Sequence, residues 1–171
     1  MVQGYGKAVG PEGVVLPYLG KRFGMLLVMP AGGVDKVSWD GTNLATWLGA
    51  AKEHNEMQVN LPKWESNLAA DLTGPLQQLG LVTPFVAGTS DLAGIGTVDG
   101  ASPCVSGVQH KAVVKVDETG TEAAAVTSVG IVAMAAVHFT EVSFNRPFVF
   151  ALVDLWTGVP LFLGQVNNPL L

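Results

Sequence analysis

The residues that could do chemistry in this chain are few and scattered. Its three histidines, His54, His110 and His138, fall in separate stretches, and none stands at ligand spacing from another or from the single cysteine, Cys104. One cysteine excludes an internal disulfide and leaves the redox compartment open. A small buried or half-buried thiol is the ordinary expectation for it. No serine is framed by a G-x-S-x-G elbow, so nothing pairs a nucleophile with a base, and a hydrolase reading fails on its first requirement. The glycines Gly94, Gly96 and Gly100 miss the dinucleotide-binding spacing by one residue and lack a strand-to-helix setting. The residues call for no enzyme activity, no metal and no cofactor. What stands out instead is a long stretch whose later part is uncharged and has the composition of a strand that has not been given a sheet.

That stretch lies between Gln109 and Ala136. Ala112, Val113, Val114 and Val116 give an apolar run that reads as a strand, with Lys115 and Asp117 beginning the polar exit. From Ala123 to Val137 there is no charge, no proline and no aromatic ring. A flexible surface connection is one reading. Against it, Thr121, Ala123, Ala125 and Thr127 alternate with Glu122, Ala124, Val126 and Ser128, a strand pattern of small residues that could slide between existing strands.

The flanking elements follow from periodicity. Val14–Tyr18 and Gly24–Pro30 read as a hairpin turning at Leu19-Gly20-Lys21-Arg22, the second strand apolar at consecutive positions and hence buried on both faces. Leu44, Trp47, Leu48 and Ala51 mark one face of a helix capped by Thr42 or Asn43 and ending in Lys52-Glu53-His54, where His54 suits the helix C-terminus. Met57–Trp64 reads as a strand, and a short helix is expected to begin near Pro75 with Leu76, Leu79 and then Phe85 packing inward. Val142–Phe144, Phe148–Val153 and Leu161–Val166 are three more strands, the last two turning at Trp156-Thr157-Gly158. His110, ahead of an apolar strand, reads as a core histidine with a hydrogen-bonded partner.

Composition limits the partners. Only 13% of the 171 residues are charged, against about 25% in ordinary soluble domains, and mean hydropathy is +0.39. No apolar run reaches the roughly 18 residues of a membrane helix, so the excess apolar surface is expected to face protein. A net charge of −5 gives no basic footprint for nucleic acid.

Several stretches together carry a resemblance. Asn60-Leu61-Pro62-Lys63, Leu76-Gln77-Gln78-Leu79-Gly80, Ser90-Asp91-Leu92-Ala93-Gly94-Ile95, His110-Lys111-Ala112, Gly120-Thr121-Glu122-Ala123-Ala124-Ala125, Phe144-Asn145-Arg146-Pro147-Phe148 and Leu161 to Pro169 stand in the order and register of a serpin. The resemblance implies an α+β fold, mainly antiparallel sheets with two or three helices and a long exposed reactive loop. It implies that residues 1–171 are a partial serpin domain, with the loop at about 119–140 and a C-terminal hairpin at about 147–167. Met1-Val2-Gln3 matches an internal strand, so the expectation is a C-terminal portion whose N-terminal half is missing.

The resemblance also implies function. Gly120, Thr121, Glu122, Ala123, Ala124 and Ala125 match the hinge, Met134-Ala135 the scissile bond with Ala133 or Ala135 as alternative positions, Lys63 and Glu118 a loop-base ion pair, and His110 the shutter where the central sheet parts. Activity is then a suicide trap for a serine protease of chymotrypsin, elastase or subtilisin type, extracellular by resemblance. This chain alone is expected to be inactive. Two rivals remain: a non-inhibitory binding or chaperone serpin, and an inert β-rich fragment that self-associates through exposed strand edges.

Overall fold

A computed structural model describes residues 2–3, 6–9, 13–38, 41–54, 57–117 and 140–169. The chain divides into two compact units, one formed by Met1–Trp64 with Lys115–Leu171, the other by Glu65–Val114.

The first unit is built on β-sheet. Strands β1 (Val2–Gln3), β2 (Gly6–Ala8), β3 (Gly13–Pro17) and β4 (Phe23–Val28) are followed by helix α1 (Thr42–Ala50), then β5 (Lys52–His54) and β6 (Met57–Asn60). After the second unit come β9 (Thr140–Ser143), β10 (Phe148–Asp154) and β11 (Pro160–Val166). A six-stranded sheet runs β11-β10-β4-β3-β2-β5 and a three-stranded sheet β1-β6-β9. All pairs in the larger sheet are antiparallel, and β6 and β9 run parallel.

The uninterrupted apolar runs become the central strands, as expected. In β10 only Leu152 escapes full burial, and β4 is buried from Gly24 onward. One face of the sheet gathers Val15, Leu26, Val28, Val149, Ala151 and Val153 under Leu44 of α1. On the other, Trp64 meets Phe148 edge-on with ring centroids 5.4 Å apart and lies 5.6 Å from Phe150, while Phe144 meets Phe148 at 5.2 Å. Phe150 lies over Gly164 of β11, where a Cβ would come within 2.5 Å of its ring. Two sides of burial make β10 the strand on which the unit depends.

Local chemistry corrects several expectations. Helix α1 is capped by Gly41 at φ 87°, not by Thr42 or Asn43, because the Asn43 amide donates back to the Ser38 carbonyl at 2.9 Å. The triplet Lys52-Glu53-His54 does not end that helix: Ala51 turns extended and the triplet pairs as β5 with Gly6–Ala8. His54 is therefore a strand residue.

The second unit holds helix α2 (Thr73–Gln78), a 3-10 turn at Thr83–Phe85 and most of a two-stranded sheet of β7 (Trp64–Asp71) and β8 (Gln109–Val116), whose Trp64, Lys115 and Val116 are counted in the first unit. Helix α2 starts two residues before Pro75, since the Asp71 carboxylate accepts from the Thr73 N–H at 2.8 Å and the proline still falls in the first turn, where no donor is needed. Leu79 does not pack inward; it is 85% exposed. Cys104 is exposed as well, against the expectation of a buried or half-buried thiol.

Candidate functional site

The site indicated by sequence is the stretch between β8 and β9. Glu118, Gly120, Thr121, Glu122, Ala123, Ala124, Ala125, Met134, Ala135 and His138 all lie outside the described residues. The two strands that lead into and out of the stretch are described, and they differ in how they are held.

The entry strand β8 has β7 as its partner strand among the described residues. Ala112 and Val114 are half-buried and Val116 is buried, while Lys111, Val113 and Lys115 on the alternate face are exposed, Val113 by 60%. The strand thus keeps one apolar face and ends at Val116, and beside that end the Lys115 ammonium reaches the Asp117 carboxylate at 3.5 Å. His110 is exposed on this strand, so the buried imidazole is not found. At the strand's opposite end the Gln109 amide donates to Asp71 at 2.9 Å, and the Val108 N–H to the Thr73 hydroxyl at 2.9 Å. Hydrogen bonds from the Thr73 hydroxyl and N–H, opposed by desolvation and aided by Gln109, hold the Asp71 carboxyl below the usual carboxylate range.

The exit strand β9 is gripped more tightly. It pairs with β6 from Met57↔Thr140 to Asn60↔Ser143. The Asn60 amide donates to Glu141 at 2.7 Å and to the Ser143 hydroxyl at 2.8 Å, and that hydroxyl also donates to Glu141 at 3.1 Å. Immediately after it, the Phe144 N–H donates to the Asn60 carbonyl at 2.9 Å, and the Arg146 guanidinium donates to the Met29 and Pro30 carbonyls. Sequence reasoning missed this grip. Asn60 was visible in a motif, but its partners lie more than eighty residues away and only the β6–β9 register unites them. Lys63, the described half of the expected ion pair, is exposed between β6 and β7.

Elsewhere the described residues offer little chemistry. They contain no group of three or more His, Cys, Asp or Glu side chains placed to hold a metal, and no helix long and apolar enough to cross a membrane. A groove of about 320 Å³ beside α1, lined by Leu44, Leu48, Val159 and Leu163, has no titratable side chain among its lining residues. At the β10–β11 turn, Arg22 lies 5.3 Å from the ring centres of both Phe23 and Trp156 and pairs with Asp154 at 3.0 Å. This is a structural pin: Asp154 also accepts from the Trp156 N–H at 2.9 Å and thereby closes the turn.

The sequence matches a family model described as serpin (serine protease inhibitor) over residues 4–169. It is 39% identical over 158 residues to Iripin-5 of Ixodes ricinus, covering 90% of this chain and 39% of that protein. With Iripin-1 of the same organism it shares 35% identity over 155 residues, covering 89% and 39%. Among solved structures, the thermophilic serpin Tengpin in its native state superposes with a TM-score of 0.71 at 28% identity, covering 96% of this chain and 44% of that one. The chain spans about two-fifths of the length of these relatives.

Proposed function

Since the chain belongs to the serpin family, we propose that it is the loop-bearing part of a serine-protease inhibitor that works by cleavage and strand insertion. The observation that carries the reading is the junction of β8 with the stretch after it. A strand with one apolar face is followed in sequence by Gly120–Ser128, where Thr121, Ala123, Ala125 and Thr127 alternate with Glu122, Ala124, Val126 and Ser128, so that one side of that stretch carries neither bulk nor charge.

In the complete molecule the target enzyme takes Met134 into its specificity pocket and its serine attacks the Met134 carbonyl. The bond to Ala135 breaks, the new amino terminus leaves, and an acyl-enzyme remains. The freed hinge, Gly120 to Ala125, enters the sheet beside β8. Some 14 residues at about 3.3 Å each carry the tethered enzyme about 45 Å, and distortion of its catalytic geometry stops deacylation. His110 stands on the strand that must part from its neighbour. Lys63 and Glu118 restrain early opening; as a partly exposed pair they contribute about 0 to 1 kcal/mol. The grip on β9 keeps the downstream product, Ala135 onward, attached after the cut.

The partner is a serine protease that accepts a medium unbranched apolar side chain, of chymotrypsin, elastase or subtilisin type. The 171-residue chain alone does not trap it, because an inserted strand needs a neighbour on each side and β8 and β7 are the two described strands of that sheet. The test is to incubate the purified chain with an elastase-like enzyme, map the cut by mass spectrometry and look for an adduct on a denaturing gel. Cleavage at Met134-Ala135 without an adduct is expected. Cuts confined to Lys115 or Arg146, with 118–139 intact, would sink the bait assignment, and a stable adduct would overturn the claim that this chain alone is inactive.

A further inference from the structure

We draw no further inference here: the strongest candidate, the apolar groove beside helix α1 lined by Leu44, Leu48, Val159 and Leu163, lies in a chain that spans about two-fifths of its relatives' length, and nothing in the structure shows what covers it.

Discussion

The two units share a chain but not a way of being held together. Every buried apolar side chain among the described residues belongs to the first unit, from Val9 to Val166, whereas the second buries a single residue, Ser90, and it is polar. The contrast is sharpest between two strands that look alike as sequence. Phe148–Val153 and Ala112–Val116 are both apolar runs, yet β10 has a strand on either side and side chains over both faces, while the described partner of β8 is β7. Hydropathy says what a strand can bury; its neighbours decide what it does bury. A strand packed like β10 cannot part from its sheet at tolerable cost, and one packed like β8 can.

The largest expected effect tests that contrast directly. Phe150→Ala removes a ring that is 2% exposed, wedged between Trp64 and Gly164, and is expected to cost about 3 to 5 kcal/mol by urea denaturation. Leu79→Ala, in the second unit, should stay within about 0.5 kcal/mol. Equal losses would mean that Leu79 has a packing role that its exposure denies.

Hydrogen exchange sharpens the comparison strand by strand. Amides of β10 and β4 should exchange only through global unfolding, and those of β7 and β8 through a cheaper local opening, faster by about tenfold or more. Uniform protection across all four strands would break the distinction.

Much of the first unit was legible because its strands are uninterrupted apolar runs with turn residues between them. Strand β7 was not. Trp64-Glu65-Ser66-Asn67-Leu68-Ala69-Ala70-Asp71 has neither alternation nor residues that favour a strand, and it is extended because β8 pairs with it. The triplet Lys52-Glu53-His54 misled for a similar reason: charged residues after an amphipathic stretch read as a helix end, and only pairing with β2 makes them a strand. Of the candidate site, the uncharged, small-residue character of Ala123 to Val137 was legible as composition, while hinge and bait were assigned through the family resemblance. The grip of Asn60 on β9 was not, since register and not spacing creates it.

A smaller effect is expected at Ser90. Its hydroxyl donates to the Pro103 carbonyl, and the Ser102 hydroxyl donates to the Ser90 carbonyl at 2.6 Å and accepts from the Leu92 N–H at 3.3 Å, closing the loop from Asp91 to Ala101. With no buried apolar residue among its described members, this unit relies on such bonds. Ser90→Ala should cost about 1 kcal/mol, since it leaves the half-buried Pro103 carbonyl without its donor. Exchange at the Val105 N–H, which donates to Pro84, should quicken while β10 is unmoved. A change that reached β10 equally would show the loop to be part of a single cooperative fold.

The smallest effect separates the units by pH. Among the described residues, each has one aspartate whose carboxyl is held below its ordinary value. For Asp154 burial pushes the carboxyl up, but hydrogen bonds from the Trp156 N–H, Arg22 and the Thr157 N–H, with the charge of Arg22, together outweigh it. For Asp71 the hydrogen bonds from Thr73 dominate. A carboxyl whose folded pKa is depressed binds its proton more readily in the unfolded chain, so its stabilisation is present in full above the unfolded value and is lost as pH falls through the folded one. Acidification below the ordinary carboxylate range should therefore weaken both units, through different residues. Asp154→Asn should flatten the acid slope of the unfolding midpoint reported by Trp64 and Trp156 fluorescence and leave exchange at the Val108 N–H unaltered. Asp71→Asn should do the reverse, because the strand end it pins through Gln109 lies in the other unit. If one substitution flattened both readouts, the units would titrate and unfold as one, and the looseness assigned to β8 would have to come from the strand's own sequence and not from the unit around it.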